Sequence, residues 1–556
     1  MTAQAQIVAD DAREFFAPTT TDMIDGLIGR YKAEREKVQA VNDFLDSADF
    51  SQAVGYYLAG NKESLSGLRF APASKTMFRL EGALAALNAS HWDRALRMTD
   101  VLDYMPAKRR EEWFEQIEKM ETPDFEEETV RATLSSLLSQ RMGFLAEKVD
   151  GIFQSLSREH VTNRPEGFSK RMILQGVTSD WGGYGRQKAG TVNDLRQIIA
   201  KFMGRDEPQF NATNDLVQKA RDHFRGEWLD VDGGALRIRC YLNGNGHLEV
   251  HPEIAWRLNQ ILAHLYPSAI PSEFRTAPKR KAKVKEYTLM ERPLPFAVLE
   301  LLRRMRSVNT RGGQGRSGLK VTPKTQNPHS LEFDYGEKDK HALAEAERVL
   351  SAIGGAKNGE GISSWWEFDY HPGEVINLVC ISGCIPDAKS HQFYPTPERL
   401  AKKVIEFASE GAEATMNWLE PSAGTGGIAD YVPDDARLQC YEVSKLHVAV
   451  LEAKGFTRTG PRSVECLDFI KLASEYKGGG YNRIVMNPPF DQGRWLAHVD
   501  AAAAVTAKHS RIVAILPEGA PKRLQLPGFA LQWHGPYSNE FAGTSISVMI
   551  LVADKQ

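Results

Sequence analysis

Apolar side chains recur at helical spacing through the first part of the chain. Leu27, Ile28 and Tyr31, then Val38, Val41, Phe44 and Leu45, fall on one helical stripe, and Ala83, Leu84, Ala86, Leu87, Trp92, Ala95 and Leu96 repeat the pattern. Residues 1–160 are therefore expected to form a helical domain. Thr122-Pro123 ahead of Asp124, Glu126, Glu127 and Glu128 marks another helix start, since carboxylates favour the positive end of the helix dipole. Over 161–274 the pattern is mixed: residues 235–251 alternate on both sides of Asn243-Gly244-Asn245-Gly246, a hairpin signal, and an amphipathic helix is expected over 252–266. The segment 275–325 is expected to hold a strand at 284–290, a helix at 295–306 and a Gly/Arg loop at 311–317. A small α/β unit is expected over 326–387, with a strand at 330–334, a helix at 340–353 and strands near 365–370 and 375–382. From 388 to 556 helices and strands alternate with Gly or Pro between them, the pattern of a doubly wound parallel sheet.

Composition narrows this picture. A chain of 556 residues exceeds what one hydrophobic core can fill, so several domains are expected. Five irregularly spaced cysteines suit a reducing compartment better than a disulfide framework. The stretch 1–17 carries Asp10, Asp11 and Glu14 in place of a signal-peptide apolar run, and no run of about 18 apolar residues occurs. A soluble, cytoplasmic protein with no membrane partner is expected. The net charge of −3 hides an asymmetry: residues 275–324 hold 14 Lys and Arg against Glu286, Glu291 and Glu300, so a segment of +11 sits in a chain that is otherwise −14. A basic stretch of this kind fits a phosphate-contacting surface for double-stranded DNA, although on its own it fits a solvated linker equally well.

The chemistry lies in the last third. Trp418-Leu419 ends a strand, and Glu420-Pro421-Ser422-Ala423-Gly424-Thr425-Gly426 forms a Gly-rich strand-to-helix turn, where a cofactor can approach the backbone closely. Glu442, followed by Val443, ends the next strand and can accept hydrogen bonds from ribose hydroxyls. Asp468 ends a third strand, with Phe469 placed to pack on an adenine ring. The fourth strand, 482–486, closes on Asn487-Pro488-Pro489-Phe490. That rigid turn can hold a planar amine between the Asn487 amide oxygen and the Pro488 carbonyl, with Phe490 against the heterocycle. Each acid alone is more often a helix cap or a solvated turn. In this order the four strand ends point to an adenosine-containing cofactor and an amine substrate, hence to methyl transfer from S-adenosylmethionine.

These motifs resemble the adenine-N6 DNA methyltransferases. Gln392-Phe393-Tyr394-Pro395-Thr396-Pro397 is similar to that family's first cofactor motif, and its place ahead of the Gly-rich turn is similar to the γ-type order. The resemblance covers about 390–556. It implies a C-terminal Rossmann-like catalytic domain over 388–556, mainly parallel with an antiparallel final strand around 543–550, preceded by helical and mixed α+β domains. It further implies that Tyr394 and Thr396 belong to the cofactor site with Thr396 on the methionine carboxylate. Glu420 would lie near the ammonium, and the backbone of 422–426 along the methionine part. The upstream region resembles the N-terminal extensions of some phage- and plasmid-borne members, which connects the chain with restriction-modification or antirestriction.

Asn-Pro-Pro-aromatic turns also occur in enzymes that methylate RNA bases or protein glutamine, so those substrates remain open. A catalytically inactive DNA-binding or antirestriction protein is the rival from another class, and the intact Glu420, Glu442, Asp468 and Asn487 argue against it. No metal site is expected: Cys380 and Cys384 near His371 and His391 lack zinc-ligand spacing and read as buried thiols. His247, His251 and His264 around the hairpin lack the base and metal loop of a ββα nuclease.

Overall fold

The computed structural model describes residues 21–47, 53, 56, 78–105, 107–155, 167–168, 171–177, 184–277, 293–310, 325–336, 338–359, 364–385, 394–476, 480–490, 493–541 and 545–556. They fall into two compact units, Met1–Phe202 with Asn243–Lys283, and Met203–Leu242 with Val284–Gln556. The grouping differs from a linear series of domains, because 203–242 belongs with the C-terminal unit. Among the described residues no helix is long and apolar enough to cross a membrane.

The first unit is mainly helical, with long helices at Thr21–Asp46, Leu80–Arg97, Glu127–Ser155, Tyr184–Phe202 and Pro252–Leu265, and an antiparallel pair of Arg171–Leu174 with Gly246–Val250. The apolar stripe of the first helix is only partly used: Leu27, Ile28 and Tyr31 are buried with Trp92, whereas Val41 and Phe44 are exposed. The Trp92 indole donates to the Pro123 carbonyl at 2.7 Å, tying the turn before Glu127 to the core.

In the second unit, strands 306–310, 325–332, 365–367 and 356–358 form an antiparallel sheet in that order. The expected strand at 375–382 is instead a helix, Gly373–Ser382, ended by Gly383 in the left-handed region. Its run of Val375, Ile376, Val379 and Ile381 is buried in a helix packed against other helices and the strand Leu229–Val231, so an apolar surface broad enough for a sheet core serves a packed helix. The expected strand at 284–290 and the loop at 311–317 lie outside the described residues.

The C-terminal domain begins with α1 (Glu398–Ser409), followed by β1 (Asn417–Glu420), β2 (Arg437–Glu442), α2 (Lys445–Ala453), β3 (Arg462–Cys466), α3 (Phe469–Glu475), β4 (Tyr481–Met486), α4 (Arg494–Ala504), β5 (Thr506–Pro517), β6 (Phe529–Tyr537) and β7 (Val548–Lys555). The sheet order is β3-β2-β1-β4-β5-β7-β6. Strands β1 to β5 run parallel, and β7 lies antiparallel between β5 and β6. The sheet is Rossmann-like, mainly parallel with one antiparallel strand inserted near its edge. Alternate residues feed two cores: Trp418, Val485 and Val513 face Leu400, Val404 and Leu451, while Leu419, Ile484 and Ile512 face Trp495 and Val499. Burial on both faces explains why the strands are nearly continuous apolar runs.

One buried charge fixes β4 against α1. The Arg483 guanidinium donates to the carbonyls of Ala408, Glu410 and Gly411 at 2.8, 3.2 and 2.9 Å, satisfying the C-terminal end of α1. Arg483→Leu is expected to cost about 3 kcal/mol locally, from lost charge-assisted hydrogen bonds and unpaired carbonyls. Hydrogen exchange of the 481–486 amides should then quicken roughly 100-fold; unchanged protection would show that packing alone holds the strand.

Candidate active site

Strand order reverses between β1 and β4, so the connections leaving their carboxyl ends diverge and open a crevice there. Register puts the key side chains along that edge. Glu420 pairs across from Cys440, Glu442 from Cys466, and Met486, just before Asn487, from Ala514. A cleft of about 400 Å³ results, walled by the loops after β1, β2, β3 and β4 and by the segment before α1.

The turn after β1 is built for close approach. The Gly424 N–H donates to Glu442 Oε2 at 2.8 Å with φ at +54°, and a Cβ on Gly427 would sit 3.3 Å from Thr396. No α-helix follows this turn; a 3₁₀ turn at Ala429–Tyr431 does, and Pro433 lies two residues beyond it. Gly426 closes the same turn. Its φ is +92°, and a Cβ there would press within 3.0 Å of Asp430 and Leu451, so it serves the turn from behind.

The carboxylates have different surroundings. Glu442 accepts from the Gly424 and Ser444 N–H groups, each at 2.8 Å. Burial opposes its charge, but His447 and those backbone donors prevail and hold it below the usual carboxylate range. Its two oxygens therefore brace the cleft wall before they meet any ligand. Asp468 caps α3 by accepting from the Ile470 N–H at 3.1 Å, so the helix-cap role and a place in the cleft wall coincide. Glu420 is the contrast: it is 2% exposed, and its Oε2 has no hydrogen-bond partner among the described residues. Burial, with Asp430 adding to it, pushes Glu420 well above the usual range.

The turn after β4 is held from the segment before α1. Asn487 Nδ2 donates to Thr396 Oγ1 at 3.1 Å and to the Tyr394 carbonyl at 3.5 Å. A carbonyl can only accept, so the contact assigns the amide orientation and leaves Oδ1 as its acceptor. Pro488 and Pro489 lack N–H groups and end the strand. Phe490 packs between the two cores, and Tyr394 meets Phe541 edge-on with centroids 6.5 Å apart.

Of the residues expected from sequence, the cleft brings together Asn487, Pro488, Pro489, Phe490, Tyr394, Thr396, Glu420, Pro421, Ser422, Ala423, Gly424, Glu442, Val443, Asp468 and Phe469. It adds His447, Arg494, His498, Phe541 and Ile546, which sequence reasoning missed. His498 stacks on Phe469, and its Nδ1 lies 3.3 Å from the Ser422 hydroxyl. Burial brings its pKa down to about 4, so at neutral pH the imidazole is uncharged. Cys380 lies on the 373–382 helix with its thiol 3.7 Å from the Leu299 carbonyl, and burial pushes it up to about 12, while His391 lies outside the described residues. Of the basic segment, 278–292 and 311–324 lie outside the described residues. Arg303 and Arg304 are engaged by Glu300, and Arg303 also by Asp215, so these two arginines serve the fold.

The family described as a domain of unknown function (DUF4942) matches residues 84–268, upstream of the cleft. No curated protein matches the chain. Among solved structures, TrmN from Thermus thermophilus is similar at 20% identity and TM-score 0.24, over 29% of this chain and 49% of its own, so the match spans about half its length. The putative RNA methyltransferase PH1948 from Pyrococcus horikoshii is similar at 21% identity and TM-score 0.25, over 31% of this chain and 91% of its own. A modification subunit of a putative type I restriction enzyme from Vibrio vulnificus YJ016 is similar at 13% and 0.23, over 32% and 52%.

Proposed function

We propose that the cleft binds S-adenosylmethionine and directs its methyl group to the exocyclic amine of a nucleobase, N6 of adenine in double-stranded DNA. The observation that carries this reading is the Asn487 amide, turned by Thr396 and Tyr394 so that Oδ1 is the acceptor beside the Pro488 carbonyl. The chain's own features fit the cofactor. Glu420 offers a buried, unpartnered carboxylate oxygen to an ammonium. The glycines of the turn admit close backbone approach, and a neutral His498 adds no positive charge near a sulfonium.

When bound, the cofactor supplies an electrophilic methyl on sulfur. The protein's part is positioning and electrostatics. The adenine amine lone pair is delocalised into the ring. Asn487 Oδ1 and Pro488 O accept the two amine hydrogens, letting the nitrogen become tetrahedral as positive charge develops on it. Neither a tuned general base nor a covalent intermediate is required, because the methyl–sulfur bonding pair would stay with the departing thioether and the cationic methylated amine is acidic enough to shed its surplus proton to water. A duplex base must be flipped out, at a cost of a few kcal/mol; stacking on Phe490, about 1–3 kcal/mol, offsets part of it. The lysines and arginines of 275–324 other than Arg303 and Arg304 would contribute phosphate contacts.

A base in RNA is the second reading, because Asn487, Pro488 and Phe490 in the cleft meet an amine and a ring in either nucleic acid. The deciding experiment is transfer of labelled methyl from S-adenosylmethionine to unmethylated genomic DNA and, in parallel, to RNA, followed by nucleoside analysis. N6-methyladenine in DNA in one sequence context is expected. Label in RNA alone would move the substrate, and cofactor binding with no label in either would leave protein glutamine as the acceptor.

A further inference from the structure

We propose that Thr396 is a positioning residue for Asn487, its hydroxyl coupling occupancy of the cofactor site to the amide orientation that transfer needs. The proposal rests on the amine-methylation reading of the cleft and deepens it.

Three parts of the domain converge on this side chain. Thr396 stands between Pro395 and Pro397, whose fixed φ and missing N–H groups stiffen the segment before α1. The turn after β1 lies directly against it: a Cβ on Gly427 would come within 3.3 Å of Thr396 Cβ and N and 3.4 Å of its carbonyl oxygen. From the other side, Asn487 Nδ2 donates to Thr396 Oγ1 at 3.1 Å. Thr396 therefore cannot shift without moving either the Gly-rich turn or the catalytic turn.

A hydroxyl has one proton and two lone pairs. Here one lone pair takes the Asn487 N–H, and the Thr396 proton remains for an acceptor in the cleft that Thr396 lines. The resemblance implies the methionine carboxylate of the cofactor as that acceptor. A hydroxyl donating to an anion becomes a better acceptor itself, so loading that group tightens the bond to Asn487. The opposite amide rotamer would face Oδ1 toward the Tyr394 carbonyl, acceptor against acceptor, and would turn a donor toward the incoming amine. Cofactor occupancy and a correctly turned Asn487 thus become one event.

The test compares Thr396→Val, Thr396→Ser and Gly427→Ala in the full chain. It measures affinity for S-adenosylhomocysteine by calorimetry and the single-turnover methylation rate at saturating S-adenosylmethionine. Thr396→Val is expected to lower the rate at saturation about tenfold, the worth of one orienting hydrogen bond. Thr396→Ser should restore it, and Gly427→Ala should reproduce the loss by displacing Thr396. A full rate at saturation in Thr396→Val, with only weaker cofactor binding, would reduce Thr396 to a cofactor contact and overturn the proposal. If the wild-type chain methylates no acceptor, the functional reading fails separately. Positioning is then judged by hydrogen exchange of the Asn487 side-chain amide in the S-adenosylhomocysteine complex, assigned by its loss in Asn487→Ala. Protection in wild type and its loss in Thr396→Val are expected, and equal protection in both would sink the coupling.

Discussion

Asn487→Ala is expected to bind S-adenosylmethionine about as well as the wild-type chain and to transfer methyl at least 100- to 1,000-fold more slowly. That range is what removing one preorganised group from a developing charge typically costs. The side chain is only partly buried, so truncation leaves the sheet intact. What disappears is the acceptor that holds one amine hydrogen, while the Pro488 carbonyl remains. Calorimetry for the cofactor and single-turnover transfer to DNA check the two halves separately. Asn487→Asp sharpens the test. It keeps an acceptor but loses the donor to Thr396 and Tyr394, and its carboxylate would be repelled by the Tyr394 carbonyl. An intermediate rate is therefore expected. An Asn487→Ala protein of full activity would remove this residue from the chemistry.

The strand ends were legible in sequence because each combines two local signals, an apolar strand and a polar residue where it must stop. Glu420, Glu442, Asp468 and Asn487 sit at such junctions, and parallel register then places them along one edge. The histidines were not legible for the opposite reason. His447 and His498 lie within α2 and α4, where each reads as one more position on a packed helix. Only tertiary folding brings His498 to Ser422, 76 residues away. The 375–382 segment failed on period: its β-branched run fits a strand or a fully packed helix alike. Gly383, which closes that helix at φ +68°, was the one discriminating signal. At Gly426 the sequence marks a glycine as necessary without saying that Asp430 and Leu451 are the neighbours that crowd it. In the basic segment, charge could be counted but not apportioned, and Glu300 and Asp215 absorb Arg303 locally.

Glu420→Gln is expected to make the cofactor-free protein more stable and the cofactor bind far more weakly. In the folded chain Glu420 is buried, receives a backbone hydrogen bond from Ala429, and keeps Oε2 without a partner among the described residues. Burial and then the nearby Asp430 raise its folded pKa above the unfolded value. The native state therefore binds a proton that the unfolded chain has already released, so wild-type stability falls as pH rises from the ordinary carboxylate range toward the raised value. Glutamine has nothing to titrate. The gain should be near zero below the ordinary range and grow with pH, by about 1.4 kcal/mol for each pH unit between the unfolded and the raised folded value. Cofactor binding should move the other way. Removing the carboxylate from a buried pairing with an ammonium costs about 2–5 kcal/mol, or at least roughly 30-fold in Kd. Thermal unfolding between about pH 4 and 8 reads the first effect, and calorimetry with S-adenosylmethionine the second. A variant less stable at every pH, with unchanged cofactor affinity, would make Glu420 a structural acid. The expected opposition, stability gained where binding is lost, is what a site held ready for a cation requires.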